Sequence, residues 1–518
     1  MGGGKPRPWG YLAYVDGRLY GSALKGQPGQ SDALFAIDIK SGQPLWSYRG
    51  GNIGELTIAI GEGRVFFIDS ALSREQRDAM LREDKTSLKK LVGEAAKQAE
   101  KAQKAKDLRL AVALDARTGK KVWDTAVDVT DCSNVGVGAG SLAGMIHDGV
   151  LVLGGANGNG HYWQQFLDRE FSQRRLVALS TRDGHVLWAK DANYRSRPLI
   201  VGQTIIAEPW GYDLHTGDQK MRINPIMGTN APWVMMRTGH HCGIISGCPD
   251  MLFFRSAYAG YYDLNDDNGV RHFAGLRLGC WINAIPANGL ALMPEAAAGC
   301  NCLFSVVGSV ALQPRPVAPA WSIYGIADAI KPVHRLAINL GGPGDRRDKN
   351  GEIWFGYPRP AGGKTKPLGV NLNLQQQFLP QGGFFSLNGE SVKVEGTDAP
   401  WLFASGGNGL KQCILPLTDG AKGPVRYIVR LYFADLENSQ PGERVFDVKV
   451  QGKTVLENLD IIKEAGGRGK ALVRKVNDVA VQGDLRVELV PKTPASSTAQ
   501  APLLNAIEVI STRRHSSL

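Results

Sequence analysis

The chain has 518 residues, more than one ordinary hydrophobic core organises, so two or three domains are expected. Hydrophobic residues make up 43% and charged residues 21%, the balance of a globular protein, and no run of about 18 apolar residues points to a membrane-spanning helix. The formal charge of +11 would suit an anionic partner such as an acidic glycan, yet charge alone selects none, and specific nucleic-acid binding is not expected.

The opening, "MGGGKPRPWGYLAYVDG", has no apolar core of the kind a signal peptide needs. It runs at once into a strand-like segment, which leaves open whether further residues precede Met1. Three segments then align without gaps: "LFAIDIKSGQPLW" (34–46), "AVALDARTGKKVW" (111–123) and "LVALSTRDGHVLW" (176–188). In each, an apolar strand ends at Asp38, Asp115 or Ser180, and a turn follows whose Gly42, Gly119 or Gly184 supplies positive φ. The return strand then presents Trp46, Trp123 or Trp188 for packing.

A second kind of hairpin alternates with the first. It recurs in "VDGRLYGSA" (15–23), "GEGRVFFID" (61–69), "HDGVLVLGG" (147–155), "VGQTIIAEP" (201–209), "CPDMLFFRS" (248–256) and "ANGLALMPE" (287–295). Together the two kinds make repeating four-stranded units, the pattern of a β-propeller of six to eight blades. Residues 73–109 interrupt it with an Ala-, Lys-, Glu- and Arg-rich stretch of helical period, read as a helical insertion with a solvated basic face.

The A-x-D-x-x-T-G-x-x-x-W pattern resembles the tryptophan-docking repeat of pyrroloquinoline-quinone (PQQ)-like propellers. These include quinoprotein dehydrogenases and non-catalytic assembly lipoproteins. The resemblance implies a fold and not a cofactor. The sequence shows no vicinal Cys-Cys and no placeable Glu-Asn-Asp calcium site, so PQQ dependence is not expected.

Five of the seven cysteines fall between Cys242 and Cys302. An Asn288-Gly289 hairpin would bring Cys280 near the loop entering Cys300 and Cys302, whose own Cα atoms, about 7 Å apart in an extended segment, are poorly placed for a mutual disulfide. Three readings stay open: disulfides linking Cys280 and Cys242 or Cys248 to this pair; a zinc-type site of Cys280, Cys300, Cys302 and Cys242 or His241; and buried thiols. Calcium is the other metal considered, and no organic cofactor is expected. The run Arg277 to Leu290 with Gly299 to Cys302 resembles a segment of exported planctomycete PQQ-like propellers, with Leu278 where Pro is usual. That resemblance implies a secreted or periplasmic protein. In the same block His240, His241, Arg255 and Tyr258, with Tyr261 and Tyr262, are the residue types with which propeller polysaccharide lyases supply a base, an acid and a uronate-neutralising cation.

Beyond residue 331 the pattern becomes an alternating antiparallel sandwich, with turns at Pro441-Gly442 and Gln451-Gly452. The matching stretches, Ile338 to Gly342, Tyr427 to Asp435, Arg444 to Gly452 and Asn505 to Val509, resemble the malectin-like domains. That resemblance implies carbohydrate binding through loop aromatics and polar groups, with Trp354, Tyr357 and Trp401 as stacking candidates and Asp345 and Arg346 as polar contacts.

The expectation is an all-β chain. A multi-bladed β-propeller (1–325, insertion about 73–109) is followed by a malectin- or jelly-roll-like β-sandwich (331–511) and a flexible tail (512–518). Carbohydrate or polysaccharide recognition is the leading function. A carbohydrate-active lyase or oxidoreductase with its site near the Cys/His block, and a non-enzymatic scaffold for protein partners, are the alternatives.

Overall fold

The computed structural model describes residues 7–513 apart from 27, 83–90, 134–139, 156–173, 239–241, 274, 277, 280–283, 296–307, 315–320, 327–330, 360–371, 373, 422 and 496. Four antiparallel meanders open the chain. The first is β1 (Trp9–Val15), β2 (Arg18–Leu24), β3 (Gln30–Asp38) and β4 (Pro44–Gly54), and the second is β5 (Ala59–Gly61), β6 (Arg64–Asp69), β7 (Leu108–Asp115) and β8 (Lys121–Asp128). The third is β9 (Ala143–His147), β10 (Val150–Gly154), β11 (Arg175–Ser180) and β12 (Val186–Asp191). The fourth has three strands, β13 (Leu199–Val201), β14 (Thr204–Ala207) and β15 (Trp210–Asp213).

The repeated residues explain how these blades form and stack. Asp38, Asp115 and Asp213 each accept hydrogen bonds from the backbone two and three residues on, at 2.7 to 3.1 Å, so the carboxylate pre-folds the turn that the glycine completes. Each tryptophan then reaches into the following blade. Trp46 donates its indole N–H to Ala116 O, Trp123 to Thr181 O and Trp188 to Leu214 O, all at 3.0 Å.

The strand period of two sorts the remaining side chains onto two faces. Tyr20, Leu34 and Ala36 pack against Val65, Phe67, Val112 and Leu114. Phe66, Ile68 and Ala113 pack against Leu151, Leu153, Val177 and Leu179. Val150, Val152 and Ala178 pack against Ile205, Ala207 and Leu214. Burying each of the Val, Leu, Ile and Phe side chains contributes about 1.5–3 kcal/mol, which is why blades hold in series.

The insertion is helical where described, at Arg74–Met80 and Gly93–Ala105. Ser73 and Gln76 form a capping box, and neither helix buries a residue. Farther on, Ser246–Cys248 pairs with Met251–Ser256, and Ile285–Ala287 pairs with Leu290–Met293 across the expected Asn288-Gly289 turn, both residues having positive φ. The second kind of hairpin therefore recurs beyond the fourth meander.

The chain divides into two units, one holding residues 1–220, 240–259 and 275–313 and the other 221–239, 260–274 and 314–518. The second unit thus takes in short segments from within the stretch read as propeller. Asp267 explains how they cohere: its two oxygens both accept from Arg222 Nη1 (2.9 and 3.0 Å), and Oδ1 also accepts from the Trp233 indole N–H (2.9 Å) and the Tyr262 hydroxyl. Arg222 in turn lies over the Tyr324 ring, 4.2 Å from its centroid.

The body of this unit is a two-sheet sandwich. One sheet runs Arg346–Arg347, Ile353–Tyr357, Arg335–Leu340, Ala506–Ser511, Val425–Phe433, Leu472–Val481. The other runs Gln375–Ser386, Ser405–Pro416, Asp484–Pro491, Val445–Val450, Lys453–Asp460. Alternate residues of Val425–Phe433 are buried, and Tyr427, Val429, Leu431, Phe433, Phe446, Val448 and Val487 are fully enclosed between the sheets.

Candidate functional site in the sandwich

One end of the sandwich carries a pocket of about 380 Å³, large enough for a short oligosaccharide. Three stretches build it: Gln381 to Leu387 with Asn408 of the paired strand, Ala434 to Glu437 with Arg444, and Thr498 with Leu503. The first curls because pairing with Ser405–Pro416 breaks between Phe378 and Gly383. At Gly382 a Cβ would stand 2.8 Å from Asn408 O, so glycine permits this close approach.

Phe384 and Phe385 are half-buried at the pocket wall, and Phe384 is braced edge-on by Phe378 (5.0 Å) and Tyr357 (5.7 Å). Asn505 holds the opposite wall. Fully buried, it accepts from Ala434 N at 2.8 Å and donates to Ser405 O (2.7 Å) and Phe403 O (3.1 Å).

The polar side of the pocket is an ion cluster. The Arg444 side chain is 1% exposed and lies 2.9 Å from Asp435 Oδ2 through Nε and 2.8 Å from Glu437 Oε2 through Nη2, while Nη1 donates to Asn408 Oδ1 at 3.3 Å. Asp435 is saturated, also accepting from Glu437 N, Asn438 N and Asn438 Nδ2. Glu437 is half-exposed, leaving carboxylate surface for a ligand. An apolar aromatic wall opposite a hydrogen-bonding rim is the arrangement that seats a sugar, whose C–H face packs on a ring while its hydroxyls bridge to the rim.

The residues singled out from sequence lie elsewhere. Trp354 is 3% exposed, its indole N–H donating to Asp348 (3.3 Å) and its ring edge-on to Tyr432. Asp345 is buried and locked by Arg359 (2.6 and 2.9 Å), Tyr324 N (2.7 Å) and Gly356 N (3.0 Å). Arg346 and Trp401 do come together: the guanidinium sits 4.9 Å from the Trp401 ring and 5.4 Å from that of Trp321, and burial lowers its pKa. Tyr357 donates to Leu374 O and Gln376, and it reaches the pocket only as a brace for Phe384.

In the cysteine block, Arg255 is buried in Met251–Ser256, Tyr258 is partly exposed at 36%, and His240, His241, Cys280, Cys300 and Cys302 lie outside the described residues. Among the described residues no disulfide forms. Cys132, Cys242 and Cys413 are buried and Cys248 half-buried as thiols, and burial pushes Cys132 and Cys413 up to about 12. Among the described residues no three or more His, Cys, Asp or Glu side chains group as metal ligands.

Comparison with known families agrees with this architecture. Residues 418–507 match the malectin domain, and residues 106–225 match the outer membrane protein assembly factor BamB. The chain joins PQQ-like propeller repeats to a malectin-like sandwich. Receptor-like protein 4 of Arabidopsis thaliana is 41% identical over 85 residues, which span 16% of this chain and 13% of that protein. Among solved structures, the ANXUR2 extracellular domain of Arabidopsis thaliana aligns over 35% of this chain and 50% of its own at 13% identity (TM-score 0.27). BamB from Moraxella catarrhalis aligns over 58% and 68% at 12% identity (TM-score 0.31). The malectin match covers the pocket wall from Ala434 to Glu437 together with Arg444, Thr498 and Leu503, and not its Gln381–Leu387 and Asn408 side.

Proposed function

We propose that this is an exported carbohydrate-recognising protein whose malectin-like sandwich binds a neutral oligosaccharide in the pocket at Phe384, Phe385 and Glu437, with the propeller repeats as scaffold. The observation that carries it is the pairing of an aromatic wall with the Arg444–Glu437–Asn408 rim, of which Arg444 and Glu437 lie inside the malectin-matching stretch. Charge argues for a neutral sugar over a uronate: one guanidinium faces two carboxylates, so the rim is net acidic and its cation is already engaged. The malectin match and the receptor-like relative support an exported setting.

The test is calorimetric titration of the whole chain with neutral gluco-, manno- and galacto-oligosaccharides and with uronate-containing ones. A neutral oligosaccharide binds, and Phe384→Ala and Glu437→Gln each weaken binding tenfold or more while Glu437→Gln leaves Tm unchanged. Absence of binding across the panel, or binding that both variants leave intact, overturns the reading.

A further inference from the structure

Among the described residues of the propeller unit, Trp46, Trp123 and Trp188 each sit on a glycine of the following blade. A Cβ added to Gly119 would stand 2.6 Å from the Trp46 ring, one at Gly184 2.7 Å from Trp123, and one at Gly217 2.7 Å from Trp188. Each tryptophan also donates to the carbonyl that follows the turn's polar residue, at Ala116, Thr181 and Leu214. The first blade carries the same socket, Asp38-Ile39-Lys40-Ser41-Gly42, with the same positive φ at its glycine (68°). There, among the described residues, nothing lies within 4 Å of where a Cβ of Gly42 would stand, and Ile39 is 48% exposed.

The face beside this socket is apolar as well. In later blades the positions equivalent to Leu19 and Gly21, such as Leu151 and Leu153 or Ile205 and Ala207, are buried against the preceding blade. In the first blade, pairing sets Leu12 opposite Gly21 and Tyr14 opposite Leu19, and Leu12 and Tyr14 stand 58% and 65% exposed, with Trp9 beside them at 51%. At the other end of the series, Leu290 (37% exposed) holds the position of Val150, which is buried against the next blade, and Ile285 (47%), paired with Leu292, holds that of Met145, which packs against the same cluster.

We propose that the Trp9–Tyr14 face and the Ile39–Gly42 socket form a docking surface for a further blade of this repeat, one that carries its own docking tryptophan. Interface continuity fixes the occupant. The surface repeats, position for position, the half-interface that three blades of this chain close with a tryptophan. A second copy fits less well, because its Trp46, Trp123 and Trp188 are already seated in their own sockets.

The experiment fuses a duplicate of residues 9–57 between Pro8 and Trp9 of the whole chain and compares it with the same fusion whose added tryptophan, the copy of Trp46, is replaced by Ala. The intact fusion melts about 4 °C or more above the alanine fusion, and the backbone amides of the original β1 exchange hydrogen at least tenfold more slowly in it. Introducing Tyr14→Lys into the original blade removes both gains. Equal melting and equal β1 exchange in the two fusions overturn the proposal. So does an unfused chain that sediments as a dimer and becomes monomeric with Leu12→Lys and Tyr14→Lys, because the surface would then belong to a second copy.

Discussion

Arg444 concentrates the chemistry of the candidate site in one side chain, nearly sealed from solvent and facing a fully buried Asp435. Removing it leaves that carboxylate buried beside a half-exposed Glu437, so Arg444→Ala costs about 3–5 kcal/mol in urea unfolding and also abolishes sugar binding. Arg444→Lys recovers part of the stability but not the three-way fork. Asp38 and Asp115 act at the same scale in the blades. The backbone N–H of Ser41 and the hydroxyl of Thr118 favour the charged carboxylates and hold both below the usual range. A depressed folded-state value means that the stabilisation is fully present above the unfolded carboxylate pKa of about 3.9 and is lost as pH falls through the lower folded values. Urea midpoints measured from pH 6 to pH 2.5 therefore drop on acidification, and Asp115→Asn, which loses little to protonation, drops less. Arg444 stood in a recognisable motif, whereas Phe384, Phe385 and Asn408 lay in a Gly-rich stretch with no distinguishing pattern. Trp354 and Trp401, the aromatics that the malectin-like resemblance implied for stacking, are buried at 3% and 6% exposure.

Within the repeats, local sequence fixes both the hairpin and its docking contact, which is why the blades were legible: Asp, Gly and Trp recur at constant spacing because each has a set task in turn and interface. Gly184 and Gly42 separate those tasks. Both have left-handed φ, so alanine strains either turn by about 1–2 kcal/mol, but only at Gly184 does the new Cβ meet a tryptophan ring. Gly184→Ala is accordingly less stable than Gly42→Ala by a further 1–3 kcal/mol or so in paired denaturation curves. Equal losses would show that the Trp123 contact contributes nothing. The pocket has no comparable signature, because its walls come from separated stretches that meet only when Asn505 ties Ala434 to Phe403 and Ser405. Asn505→Ala should lower stability by about 2–4 kcal/mol through these lost buried bonds and loosen the Ala434–Glu437 wall, read as faster amide exchange there.

For the whole molecule, the sequence divides cleanly into propeller and sandwich patterns, yet residues 221–239 and 260–274 cohere with the sandwich unit. Nothing in their hydrophobic pattern announces this. It follows from Asp267 joining Arg222 and Trp233 of the first segment to Tyr262 of the second, and from Arg347 of the sandwich donating to Asn268 Oδ1 and Asp267 O, bonds between residues up to 80 apart in sequence. On the proposed function, the sandwich recognises the sugar and the blades support it. Hydrogen exchange of the whole chain, with and without the neutral oligosaccharide that titrates best, tests it most directly. Protection is expected to be confined to Gly382–Leu387 and Ala434–Glu437. Protection centred on Cys242–Tyr258, with those two stretches unchanged, would contradict it and move the site into the propeller.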